Sequence, residues 1–399
     1  MQNKILIICF DTPYPTNYGG VIDIVRKFEY FKSKNIKIDL VCTCFDEERK
    51  QFFEDFIKQN ETIIDNYHIE LIKVSPLKAL KLFKVQPFSV EVRTIDFSKI
   101  DFIQTANYKV VLVEHMKTTK SIKKLISIFD KRNSHPEFWL RLHNDEMAYY
   151  KNMYKASKGL KTIFFLTESW KYKFYESRIL NSNLFKGFLY ISEKDKLNFQ
   201  SITHVDTNHR FLPIYQTASD SVQISEKPID FFYIGNLDLD DNLKALKKIN
   251  SFLEEHNLWI FKIIIAGKCS SIKRENSVKN SFYNSDKITF RFNISPIELQ
   301  KLYQNAKFFL NFSENESGVK TKLIEALENK IPVISDFEGA DGSGYENEIL
   351  KADEIETKYL FDLLNSNNSY SIYLNKFTDR IKNKEKLVVN YYDDWLKFN

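Results

Sequence analysis

The sequence predicts an α/β protein built from two Rossmann-like, doubly wound parallel-sheet domains. Three observations lead there. Short apolar runs alternate with amphipathic helical patterns along most of the chain, which is the signature of parallel strands joined by crossover helices. Most of the ten glycines fall just after those apolar runs, where a strand hands over to a helix. The pattern occurs twice, in halves separated by a polar stretch, and 399 residues provide two or three domains with large cores.

In the first half, residues 4–10 read as a strand. The loop TPYPTNYGG leads into a helix over 21–34, followed by a strand at 36–43 and a helix at 47–59. Further strands are expected at 68–74, 108–113 and 137–142. The Lys-, Tyr- and Phe-rich region 148–176 reads as helical. A strand at 188–191 follows, then a helix from Glu193 capped by Ser192. Residues 211–213 close the half. The expected domains are 1–213 and 230–375, joined by a polar linker at 214–229, with a final helix at 376–399. Second-half strands are expected at 231–234, 261–266, 288–290, 308–311 and 332–335. Ser295, Pro296 and Glu298 form a good helix start: a cap, a first-turn proline and an acid.

The most informative stretch is 309–335, FLNFSENESGVKTKLIEALENKIPVIS. It reads as strand, glycine loop, helix and strand, with Val319, Leu323, Ala326 and Leu327 on one helical side. A loop that opens a helix presents free N–H groups and a partial positive charge, which suits an anion. Lys322 and Glu325, three apart, are neighbours on the polar side. Glu325 stands seven residues past Gly318, roughly 10 Å of helix, about the span from a diphosphate to a ribose. A plain βαβ unit with a salt-bridged surface helix has the same spacing.

Other candidates lie at strand ends. Gly19 and Gly20 permit close backbone approach to a ligand, or only a tight turn. Gly235 and Asn236 follow the apolar run 231–234, and Lys268 follows 261–266. The run Arg141-Leu142-His143-Asn144-Asp145-Glu146 ends another strand. His143 can hydrogen-bond a hydroxyl or move a proton near neutral pH, or simply cap the strand. Glu114 and His115 end a further strand. Asp238 and Asp240 form an Asp-x-Asp too short to argue for a cation, so no metal is expected. Residues 75–86, SPLKALKLFKVQ, alternate Leu/Phe and Lys sides; such a helix can lie on an anionic membrane, or pack on a core with solvated lysines.

The net charge of +5 is mild for this length, and no basic run or nucleic-acid motif is present, so nucleic acid is not an expected partner. Cys9, Cys42, Cys44 and Cys269 lack metal spacing and read as buried free thiols of a reducing compartment. The N-terminal apolar run is too short for a signal peptide or a span, and a cytoplasmic protein is expected.

The segment GVKTKLIEALENKIPVIS resembles the donor-binding segment of family 4 glycosyltransferases of the GT-B fold. The resemblance implies two Rossmann-like domains facing across a cleft, with the final helix returning to the first. It also implies a nucleotide-diphosphate sugar as donor, no required cofactor, and transfer to a glycan or lipid-linked acceptor, with retention, in bacterial surface-polysaccharide synthesis at the inner face of the membrane. Glu325 matches the glutamate that holds the nucleotide ribose. The family's first glutamate falls at Ser317, with Glu316 one position away; a branch with a G-x-K-x-K-x-x-E pattern also lacks it. The resemblance assigns Gly19, Gly20, Gly235, Asn236, Lys268, Ser317, Gly318, Val319, Lys320, Lys322 and Glu325 to the donor. It assigns His143 and Glu316 to catalysis, and Asn144, Glu146, Glu114 and His115 to the acceptor side. The Arg–Lys pair that much of the family uses for the diphosphate is absent from the loop 235–242, which leaves Lys320, Lys322 and Lys268 as its cations. An epimerase or phosphorylase of this fold, or a degenerate binding protein, fits the same resemblance.

Overall fold

The structure is a computed structural model that describes residues 4–16, 18–59, 63–73, 75, 80–216, 227–314 and 318–397. The chain divides into two compact units, Met1–Tyr215 and Gln216–Asn399.

The first unit carries a seven-stranded sheet: β1 (Lys4–Cys9), β2 (Lys37–Cys44), β3 (Ile64–Leu71), β4 (Val110–Glu114), β5 (Glu137–Leu142), β6 (Gly187–Tyr190) and β7 (Asn208–Phe211). Its order is β3-β2-β1-β4-β5-β6-β7, with every pair parallel. The second carries β8 (Ile229–Asn236), β9 (Ile263–Lys268), β10 (Ile288–Phe292), β11 (Ala306–Asn311), β12 (Val333–Ser335) and β13 (Leu350–Lys351), in the order β10-β9-β8-β11-β12-β13, also all parallel. Helices cover the central strands, so runs such as Ile5–Ile8 and Phe308–Leu310 are fully buried.

Strand order reverses between β1 and β4 in one sheet and between β8 and β11 in the other. Adjacent loops part at such switch points and leave a crevice at the carboxyl ends of the strands. Gly19 and Gly20 follow β1, and His115 follows β4. Gly235 and Asn236 end β8, and Phe312 and Ser313 follow β11.

Several expectations need correction. The third strand starts at Ile64, not 68, because its inner half pairs with β2 despite the polar Asp65 and Asn66. The edge strands β7 and β13 were not anticipated; both are short and only partly apolar. Region 148–176 is two helices, Glu146–Ala156 and Leu160–Leu180, divided at Gly159, whose φ of 66° an L residue rarely adopts. Of the helix expected at 75–86, residues 76–79 lie outside the described residues, and the rest shows one short turn, Leu80–Phe83. The final helix begins at Asn367 and runs to Trp395. Its buried Glu385 pairs with the buried Lys330 after β11's helix. All four cysteines are buried and free.

Candidate functional site

In the first unit the switch point holds an extended set of buried charges. The helix Gly19–Ser33 turns Asp23 and Lys27, one turn apart, toward the sheet with Ile24 and Phe31. Arg141, the fifth residue of β5, is fully buried and grips Asp23 with two bonds, Nη2 to Oδ1 at 2.8 Å and Nε to Oδ2 at 3.0 Å. Its third nitrogen donates to the carbonyl of Leu212. Lys27 pairs with Asp23 and lies 3.2 Å from Glu114. Burial alone would raise the Asp23 carboxyl, but Arg141 and Lys27 outweigh it and hold it below the ordinary range.

Glu114 accepts a hydrogen bond from His143 Nε2 at 2.8 Å. A carboxylate only accepts, so Nε2 carries the proton and Nδ1 presents a lone pair when the ring is neutral. Among the described residues Nδ1 has no hydrogen-bond partner, although His143 is buried. It faces Gly20: a Cβ there would come within 3.2 Å of Nδ1 and 2.9 Å of the Phe10 ring. The glycine therefore keeps open the space in front of the one polar atom of His143 that is not spoken for.

The neighbouring His115 is fixed differently. Its backbone adopts φ 81° and ψ 143°, a conformation costly for a side chain bearing Cβ. Its Nδ1 accepts from Lys117 N at 3.2 Å and its Nε2 lies 3.0 Å from Glu146 Oε1. Burial, then Lys117, pushes the ring down to about 3, so it is neutral near pH 7. Burial opposes ionisation of Glu146, but Lys117, 3.2 Å from its other oxygen, and His115 bring it down to about 2. The Glu146 N–H donates to Glu176 at 2.9 Å. Glu114 and Glu146 are therefore buried supports, each holding the histidine of another element. Asn144 is half-buried beside them.

Asp23, Glu114 and His143 place one ligand atom each within 4.8 Å of the others. Lys27 and Arg141 already neutralise the two carboxylates, so a cation there would meet a filled charge balance.

In the second unit the loop after β11 passes Gly318, in left-handed conformation at φ 67°. The helix starts at Thr321, so Gly318 and Val319 precede it and the span to Glu325 is part loop rather than two helical turns. Glu316 and Ser317 lie outside the described residues. Lys320 donates to the carbonyl of Gly318 at 3.1 Å. Lys322 turns inward: its Nζ reaches the Tyr233 hydroxyl at 3.3 Å and the Phe312 carbonyl at 3.2 Å, 4.4 Å above the Tyr233 ring. Among the described residues no carboxylate lies within ion-pair distance of it. Burial, then the like charge of Lys320, pushes its ammonium down to about 7, and the negative charge of Asp336 offsets this only in part.

Glu325 Oε2 accepts from Tyr303 Oη at 3.0 Å. The start of the loop is pinned by Asp336, which takes the Ser313 N–H at 3.1 Å and the Lys248 ammonium at 3.0 Å. At β8, Gly235 leaves room for the Tyr233 hydroxyl, which a Cβ would approach to 2.8 Å. Asn236 shapes its own turn, accepting from Asp238 N. Asp238 accepts from Ser270, and Asp240 pairs with Arg274, so both acids of the Asp-x-Asp are engaged. Lys268, at the end of β9, is exposed.

Sequence reasoning missed Asp23, Lys27, Lys117 and Tyr233. The signal for the first two was present: an acid and a base one turn apart on an otherwise apolar helix face.

No protein-family model matches the chain. A Klebsiella pneumoniae protein described as an uncharacterized 44.6 kDa protein in cps region is 28% identical over 359 residues, 86% of this chain and 84% of that one. Among solved structures, TarM matches with a TM-score of 0.65 at 10% identity, over 99% of this chain and 98% of that one. The lipopolysaccharide outer core galactosyltransferase WaaB matches with a TM-score of 0.53 at 14% identity, over 98% and 99%. The fold is GT-B. Within GT-B, one of these proteins, a mutant TarM from S. aureus, has been solved with UDP, α-GlcNAc-glycerol and fondaparinux. At 10% and 14% identity the likeness concerns the fold, and the GT-B side chains described above are this chain's own.

Proposed function

We propose that this GT-B protein is a glycosyltransferase that moves a sugar from a nucleotide-diphosphate donor to a glycan or lipid-linked acceptor, with retention, in the synthesis of a bacterial surface polysaccharide. The observation that carries the reading is Lys322. It is a half-buried, inward-turned ammonium with two neutral oxygens and a ring as neighbours, beside a left-handed glycine and a helix start, at the switch point of a parallel sheet. A diphosphate supplies the missing negative charge, and the partial positive charge of the helix that starts at Thr321 adds to its stabilisation. Glu325, on the same helix, is the acceptor for ribose hydroxyls. In the first unit, His143 Nδ1 beside Gly20 is the group for a sugar hydroxyl. The cps-region relative and the galactosyltransferase neighbour support the surface-glycan setting.

Thermal shift with UDP, GDP, ADP, CMP and dTDP, on wild type and Glu325→Ala, tests the donor assignment. A ligand at about 100 times its Kd adds roughly 2.7 kcal/mol. Stabilisation of the wild type alone by one diphosphate is expected, followed by slow hydrolysis of its sugar conjugate. Stabilisation by none of them rules the donor site out, and tight binding without any turnover of donor leaves a binding protein.

A further inference from the structure

The helix Leu160–Leu180 buries one face, with Tyr172, Tyr175, Ile179 and Leu180 against the first unit. The opposite face should be polar in a helix that meets only water. Instead Leu160 is 85% exposed, Ile163 61%, Trp170 68% and Phe174 68%. Their spacing puts them along one stripe of the helix. Beside them runs the strip 80–85, where Phe83 is 86% and Val85 89% exposed. The strip is held to the helix by the Lys171 ammonium, which donates to the Leu82 carbonyl at 2.7 Å. Glu168, on the same helix, accepts from Phe88 N at 2.7 Å. The apolar stripe and the strip thus belong to one continuous surface.

Charge decides what this surface meets. Residues 151–178 contain seven lysines and arginines and two acids. Both acids, Glu168 and Glu176, are buried. The exposed apolar side chains are therefore flanked by cations such as Lys161 and Lys173 with no exposed acid among them. A second copy would bring like charge against like. An anionic bilayer matches both features: apolar and aromatic side chains enter the interface, and lysines meet headgroup phosphates. No described helix is long and apolar enough to cross a membrane, so the contact is with its surface.

We infer that the exposed face of the helix Leu160–Leu180, together with residues 80–85, seats on an anionic lipid surface, with Trp170, Phe174 and Phe83 as its anchors. The docking face is mainly this helix, not the 75–86 segment alone, and it stands independently of the glycosyl-transfer reading.

The full chain is sedimented with vesicles of phosphatidylcholine, or of phosphatidylcholine mixed with phosphatidylglycerol. Pelleting with the mixed vesicles, weakened by salt, is expected together with a blue shift of tryptophan emission that Trp170→Ala removes; Trp139 and Trp395 are already buried and Trp259 is half-buried. The double variant Trp170→Ala/Phe174→Ala alters only exposed side chains, so its melting stays at the wild-type value. Its partitioning should fall at least about tenfold, since each aromatic removed from water contributes on that scale or more. Equal binding to neutral vesicles, or unchanged pelleting of the variant, overturns the proposal. So does a wild-type dimer in sedimentation velocity that the variant splits, because the face would then be covered by a second copy. Nucleotide stabilisation of the same variant, read separately, reports on the donor site.

Discussion

In the first unit Lys27 sits between Asp23 and Glu114, with Arg141 completing the balance. In the second, Lys322 sits between a phenol and a backbone carbonyl. Both are cations at the switch point of a parallel sheet, Lys27 fully buried and Lys322 half-buried, and their surroundings differ in kind. The first set is electrically complete: each buried charge has its opposite within contact, and the network holds His143 and His115 in one tautomer each. The second unit also pairs buried charge elsewhere, as Lys330 with Glu385 shows. The bare state of Lys322 is therefore local. A completed network preorganises side chains, whereas an uncompensated cation has a charge to share with an anion that arrives.

Removing one member of the complete set has the largest expected effect. Asp23→Ala leaves Arg141 and Lys27 buried against a single remaining acid, and should cost about 3–5 kcal/mol of stability in urea unfolding. A loss under about 1 kcal/mol would mean the network is solvated and not the rigid support described here.

Lys322→Ala should do the reverse. It removes a half-buried charge that no carboxylate among the described residues pairs with, so the ligand-free protein holds its stability. The Kd for the stabilising nucleoside diphosphate should rise roughly 10- to 100-fold, the loss of one charge-assisted bond. Titration calorimetry reads both the affinity and the proton count.

The two units should also answer pH in different windows. Folded His115 resists protonation down to about 3 against 6.5 when unfolded, and Glu146 stays ionised down to about 2 against 4.5. In both cases the unfolded chain binds more protons, so the stability they carry is lost as pH falls from about 6.5 toward 2. Lys322 loses its proton near 7 when folded and near 10.5 when unfolded. Its cost is full below pH 7 and shrinks as pH rises through about 7 to 10. Binding of a diphosphate above pH 7 should therefore take up a proton, seen as heats that vary with buffer ionisation enthalpy. Lys322→Ala should abolish that uptake; its persistence would assign the proton to another group.

The smallest effect is at the loop. Gly318→Ala places a Cβ on a left-handed residue and should cost about 1–2 kcal/mol, with a modest rise in the same Kd. An unchanged melting temperature would show that the loop shifts freely.

Most of the architecture was legible because parallel strands buried on both faces are written as continuous apolar runs. Phe308–Leu310 and Ile5–Ile8 are examples, and the glycines mark where those strands end. The edge strands β7 and β13 were not legible, since half-polar segments are strands only by virtue of the neighbour they pair with. Gly318, Lys322 and Glu325 were readable as a group from their spacing in the sequence, with the last two on one helix and Gly318 in the loop before it. The partners of Lys322 were not: Tyr233 lies 89 residues away. Nor could sequence distinguish Glu114 as the partner of His143 from Glu146 as the partner of His115. Each pairing crosses between strand ends, and the adjacent residues Glu114 and His115 serve different rings.

The sequence by itself determined the two α/β units, their strand-end glycines and the helix that carries Lys322 and Glu325, because periodicity and turn chemistry are local. Only the tertiary structure decided which charges are buried together. It alone shows that Lys322 has a phenol and a carbonyl where Lys27 has two carboxylates, and that the stripe from Leu160 to Phe174 faces outward. Burial and Coulomb energy depend on neighbours brought from distant parts of the chain, and those neighbours exist only after folding.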